Sequence, residues 1–64
     1  MTKNVSENYI IEFYQAGNSV KVTAICPATG REAAIIVPSN IARMQMQKLA
    51  VQKLEYVKAK LDKS

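Results

Sequence analysis

The sequence contains no histidine and only one cysteine, Cys26. A single cysteine excludes a disulfide within the chain. The lack of histidine removes the commonest zinc ligand and the side chain most used in general acid–base catalysis. The five carboxylates are dispersed, and Gly17 and Gly30 stand alone, whereas a phosphate-binding loop needs a glycine cluster that opens into a helix. We therefore expect no enzymatic activity, no cofactor and no small-molecule substrate.

Long apolar runs are also missing. The longest, residues 33–37, is far too short to span a bilayer. Residues 1–8 are polar and lack the basic and then apolar pattern of a signal peptide. We expect a cytoplasmic protein with no membrane partner.

The chain length of 64 residues suits one small domain, which buries only about 60% of the surface of its unfolded chain. Domains of this size usually gain stability from disulfides, a metal or a partner. Because this sequence lacks the residues for a disulfide or a metal site, we expect oligomerisation to supply the missing stability.

Two turn signals predict three antiparallel strands, at about residues 9–15, 19–26 and 31–37. Gly17-Asn18 suits a two-residue hairpin because both residues tolerate positive φ. Pro27-Ala28-Thr29-Gly30 suits a four-residue turn. The two loop lengths together predict six pairs: Phe13 with Val22, Ile11 with Ala24, Tyr9 with Cys26, Ala24 with Ala33, Val22 with Ile35, and Val20 with Val37.

Alternate residues of a strand share one face of the sheet, and this register collects one continuous apolar face. Its members are Tyr9, Ile11, Phe13, Val20, Val22, Ala24, Cys26, Ala33, Ile35 and Val37. The opposite face is also more apolar than a solvated face usually is. It mixes Ile10, Tyr14, Ile25, Ala34 and Ile36 with Glu12, Lys21, Thr23 and Glu32. We expect Glu12 and Glu32 to lie on the two edge strands of this face.

A long helix is predicted from Asn40 to about Leu61, with Ser39 as its N-cap. Its apolar stripe, which should cover the first sheet face, comprises Ala42, Met46, Leu49, Ala50, Leu54, Val57 and Leu61. The predicted fold is α+β, a three-stranded antiparallel meander followed by one C-terminal helix. We expect a flexible segment at residues 1–8, one domain at 9–61 and a frayed tail at 62–64.

The net charge of +4 lies entirely in residues 39–64, because residues 1–38 are neutral overall. A basic helix on a three-stranded sheet is a feature of several nucleic-acid-binding folds. The candidate contacts are Arg43, Lys48, Lys53, Lys58, Lys60 and Lys63. They are spread around the helix rather than clustered on one face, which favours solvated lysines over phosphate binding.

Two further features have alternative interpretations. Cys26 is either a reactive thiol or, as its position on the apolar face favours, a small buried hydrophobic residue. Met44 and Val51 lie together on the far side of the helix, as exposed apolar residues or as a protein contact.

The run Val20-Lys21-Val22-Thr23-Ala24-Ile25 is followed by Pro27 and Thr29-Gly30, and the helix contains Lys53-Leu54-Glu55-Tyr56-Val57. These segments resemble a family of short uncharacterised proteins, mostly alphaproteobacterial. The resemblance extends over about residues 9–61 and implies the same domain boundaries, but no chemistry.

The sequence therefore predicts a non-enzymatic protein-interaction module, either a homodimer or a small accessory subunit. The candidate interface is Ile10, Tyr14, Ile25, Ala34 and Ile36 on the sheet, with Met44 and Val51 on the helix. Nucleic-acid binding by the basic helix is the alternative.

Overall fold

The computed structural model describes residues 3–6 and 9–63, with side chains over residues 9–60. Its elements are one antiparallel sheet and one helix: β1 (Lys3–Ser6), β2 (Tyr9–Ala16), β3 (Ser19–Ile25), β4 (Glu32–Pro38) and α1 (Arg43–Lys63). The strands lie in the order β1-β2-β3-β4. The α+β fold, with a meander followed by a C-terminal helix on one sheet face, is confirmed.

The predicted register is confirmed at five of the six pairs; the ladder of β2 and β3 ends at Ile10 and Ile25, so the predicted pair of Tyr9 with Cys26 lies beyond it. Phe13 pairs with Val22 and Ile11 with Ala24 across the first hairpin. The second hairpin pairs Ala24 with Ala33, Val22 with Ile35 and Val20 with Val37.

Both turn glycines have positive φ, 63° at Gly17 and 78° at Gly30. Glycine adopts this conformation without the steric penalty that a side chain brings. The Gly30 amide donates to the Cys26 carbonyl at 2.7 Å, and the Cys26 amide donates to the Arg31 carbonyl at 2.8 Å. These two hydrogen bonds close the second turn.

The N-terminal strand β1 was not predicted. It pairs antiparallel with β2, with Lys3 opposite Glu12 and Ser6 opposite Tyr9. The prediction of a flexible segment over residues 1–8 missed this strand; residues 1, 2, 7 and 8 lie outside the described residues. Because β1 covers the first half of β2, the placement of Glu12 on an edge strand was wrong.

The helix begins at Arg43, three residues later than predicted. The amide of Ser39 donates to the Asn18 carbonyl at 2.8 Å, and the amide of Ile41 donates to the Pro38 carbonyl at 3.4 Å. Ser39 therefore extends the β3–β4 ladder and is not the N-cap. Ala42 has that position, because its carbonyl accepts the hydrogen bond of the Met46 amide. The helix extends to Lys63, two residues beyond the predicted end.

The core lies between α1 and the first sheet face, and α1 packs mainly on β4 and β3. Ile11, Val22 and Leu54 are its largest fully buried side chains. The remaining buried core residues are Tyr9, Val20, Ala24, Cys26, Ala33, Val37, Met46 and Ala50, and Phe13, Ile35 and Leu49 pack against them half-buried. Of the predicted helix stripe, Ala42 is exposed and the side chain of Leu61 lies outside the described residues.

Candidate interaction surfaces

The sheet face turned away from α1 is the first candidate surface, and we call it the open face. Its described side chains form three cross-strand rows, and β1 extends two of them, with Val5 opposite Ile10 and Lys3 opposite Glu12. From β2 to β4, the rows are Ile10–Ile25–Glu32, Glu12–Thr23–Ala34 and Tyr14–Lys21–Ile36.

The open face exposes large apolar side chains among its charged and polar residues. Tyr14 is 69% exposed and Ile36 is 72% exposed, at opposite ends of one row. Ile10, Ile25 and Ala34 are half-buried. The structure thus brings together the five sheet residues predicted as an interface, and five of the nine positions of the face are apolar. An exposed apolar patch with charged neighbours is typical of a protein-interaction surface.

The free edge of β4 is a second surface that could bind protein, by adding a strand. Lys53 reaches across from α1, and its Nζ donates to the Ala34 carbonyl at 2.8 Å. At the end of the same strand, Pro38 has no amide hydrogen to donate. Both features blunt the edge, which leaves the open face as the better surface for a partner.

The outer side of α1 carries the predicted pair Met44 and Val51. Met44 is 82% exposed, whereas Val51 is half-buried and packs against the core cluster. The two residues line an open depression of about 480 Å³, otherwise bordered by polar side chains and Ala42. The structure therefore places them together, but with one exposed apolar side chain rather than two.

The predicted nucleic-acid contacts are largely occupied within the chain. Arg43 lies over the Phe13 ring, 4.5 Å from its centroid, and Lys60 lies 5.4 Å from the Tyr56 centroid. Lys53 hydrogen-bonds to β4 as described, and Lys48 is exposed. The side chain of Lys63 lies outside the described residues.

Lys58, the remaining basic candidate, lies beside Cys26 in a polar cluster at the edge of the core. Its Nζ is 3.1 Å from the Tyr9 hydroxyl oxygen, to which it donates, and 3.9 Å from the Cys26 Sγ. The Tyr9 hydroxyl in turn donates to the Glu55 Oε2 at 3.2 Å. The sequence predicted correctly that Cys26 lies in the core, but it did not predict that Lys58 contacts the thiol.

Local hydrogen bonds shift the pKa values of both Cys26 and Lys58 in this cluster. The Thr29 hydroxyl, followed by the amides of Thr29 and Ala28 and the charge of Lys58, lowers the pKa of the Cys26 thiol, and burial opposes this. The hydrogen bond to Tyr9 raises the pKa of Lys58, with smaller contributions from Cys26 and Glu55. The cluster thus stabilises the thiolate form of Cys26 relative to an ordinary thiol, but the side chain is only 4% exposed, so solutes reach it poorly.

Metal sites and membrane spans are the remaining kinds of functional feature. Among the residues that the structure describes, no group of three histidine, cysteine, aspartate or glutamate side chains is placed to hold a metal ion. In the same part of the chain, no helix has both the length and the apolar character needed to cross a membrane.

Residues 6–61 match the profile of a family described as Domain of unknown function (DUF6898). The chain belongs to this family. The match confirms the predicted membership of an uncharacterised family, and it covers β2, β3, β4 and nearly all of α1. No curated protein and no solved structure matches the chain significantly.

Proposed function

We propose that this member of the family is a non-enzymatic, cytoplasmic protein-interaction module that binds its partner through the open face. The observation that carries the proposal is the exposure of Tyr14 and Ile36 beside half-buried Ile10, Ile25 and Ala34. Covering this face with protein would remove apolar side chains from water, which stabilises association by about 25 cal/mol per Å² of apolar area.

Two observations support the open face over the other surfaces. Lys53 occupies the exposed carbonyl of Ala34 at the edge of β4, which disfavours strand addition. On α1, Met44 and Tyr56 are strongly exposed, but they are separated by more than three helical turns, and scattered exposed apolar residues are ordinary for a protein surface.

The test is site-specific photocrosslinking in cells. A photoreactive amino acid replaces Ile25 on the open face or, as the matched control, Met44 on the helix. We expect a crosslinked protein band from position 25 and little or none from position 44. No band from position 25, or equal bands from both positions, would contradict the proposal.

Nucleic-acid binding stays the second candidate because the +4 charge lies in the half of the chain that contains α1. Four of the basic side chains already have contacts within the chain, which they would have to exchange for contacts with phosphates. They are Arg43, Lys53, Lys58 and Lys60. Anisotropy of a labelled duplex at low salt tests it. Binding that weakens steeply with added salt, as counterion release requires, would support nucleic acid, and its absence at low salt would exclude it.

A further inference from the structure

The charges on the open face bear on what covers it. Among the nine positions on β2, β3 and β4, Lys21 of β3 is the one basic residue and Glu12 and Glu32 are the acidic ones, and Lys3 of β1 is the register partner of Glu12. Glu12 and Lys21 are one strand and one row apart. They therefore lie symmetrically about the diagonal that runs from Tyr14 through Thr23 to Glu32.

This diagonal makes the face complementary to itself. Two sheets packed face to face with near-perpendicular strands can be related by a two-fold axis along the diagonal. The rotation places Lys21 of one copy over Glu12 of the other, Ile10 over Ile36, and Ile25 over Ala34. With strands about 4.8 Å apart and alternate residues about 6.8 Å apart, strands crossed at about 90° bring the members of each pair within about 3 Å in projection, and the axis then lies about 10° from the diagonal.

Other two-fold axes through Thr23 match the charges badly. An axis along the strands places Lys21 over its own copy and Ile10 over Glu32. An axis across the strands places Glu32 over Ile36. The remaining diagonal places Glu12 over Ile25. Of these four axes, the one through Tyr14 and Glu32 alone places Lys21 over Glu12 and superposes no charged residue on an apolar one, although it brings the two copies of Glu32 together.

We propose that a second copy of this chain covers the open face in this crossed arrangement, with Lys21 of each copy paired with Glu12 of the other. The inference rests on the proposed function, and it names the partner. A two-fold interface uses the same patch on both copies, as the diagonal symmetry of the face allows. Tyr14 then meets its own copy at one corner, and the two Glu32 carboxylates meet at the opposite corner, where their like charges weaken the association.

The size of the face sets the strength of the dimer. Three strands about seven residues long give a patch of about 14 by 24 Å. This is well below the roughly 800 Å² per partner of a standard stable interface. We therefore expect a dissociation constant in the micromolar range, with dimer and monomer in exchange.

The experiment uses two single variants, Lys21→Glu and Glu12→Lys, alone and mixed. In either homodimer, both intermolecular pairs become like-charged, and we expect dissociation constants at least about tenfold weaker than that of the wild type. In the 1:1 mixture, both contacts between position 21 of one chain and position 12 of the other again join opposite charges. Sedimentation velocity over a concentration series should show the mixture dimerising within about threefold of the wild type.

Mixing isolates the contact between chains, because any effect within one chain is the same alone and in the mixture. A mixture no tighter than the single variants, or single variants as tight as the wild type, would overturn the crossed dimer. Photocrosslinking then separates the two proposals. A band at twice the 7.1 kDa chain mass from position 25 supports self-association, whereas a heavier band retains the interaction module and rejects the second copy as its partner.

Discussion

Truncating Leu54 to alanine should remove a large part of the stability of this domain. Leu54 is completely buried, at the middle of the helix face that packs on the sheet. Removing a buried leucine side chain typically costs about 2–5 kcal/mol, from lost transfer free energy and the cavity left behind. A chain of this length has a total unfolding free energy of roughly 3–10 kcal/mol. We expect a loss of about 3 kcal/mol for Leu54→Ala.

The matched control is Met44→Ala, in the same helix but with its side chain 82% exposed. Leucine, methionine and alanine all have high helix propensity, so the two substitutions differ mainly in burial. Urea unfolding followed by far-UV circular dichroism, at one fixed chain concentration, measures both. A Leu54→Ala midpoint equal to that of Met44→Ala would refute the packing of α1 on the sheet through this face.

Three further predictions concern the polar cluster and the sheet edge. The pKa of the Cys26 thiol is lowered from the usual 9.0, so the folded chain loses the thiol proton at a lower pH than the unfolded chain does. The free energy of unfolding of the wild type, relative to that of Cys26→Ser, should therefore rise from pH 7 to pH 9.5 in urea titrations. A difference that stays constant over this range would contradict the prediction. Over that range Lys58 stays charged, because its pKa is raised above 10.5. Thr29→Val should raise the thiol pKa, measured from thiolate absorbance near 240 nm, whereas an unchanged value would exclude the Thr29 hydroxyl as its cause. Lys53→Met should increase aggregation, measured by light scattering, because it removes the hydrogen bond to the Ala34 carbonyl at the edge of β4. Lys48→Met removes the same charge elsewhere on α1 and is the control. Equal aggregation of the two variants would contradict a role of Lys53 in blocking the β4 edge.

The sheet was predictable because its determinants are local. The lengths of the two turns fix the register, and the alternation of apolar residues tests it independently. The open face followed from the same register, since pairing Ile25 with Ile10 assigns both to one side.

The features that could not be predicted from the sequence depend on contacts between segments that are distant in the chain. Residues 3–6 contain one apolar residue, Val5, so β1 forms through pairing with β2 rather than through its own propensity. Ser39 is a good N-cap by residue type, but the Asn18 carbonyl takes its amide into the sheet. The contact of Lys58 with Cys26 spans 32 positions, and it requires knowing how far α1 extends along the sheet.

The strand order β1-β2-β3-β4 followed by α1 also has a consequence for folding kinetics. Every strand pairs with its neighbour in the chain, and short loop closures of this kind favour rapid folding, on the order of milliseconds for small mixed domains. The helix is nevertheless synthesised after all four strands. Until residues 43–60 leave the ribosome, the meander exposes apolar side chains on both of its faces, and the nascent chain is most prone to aggregate in that interval.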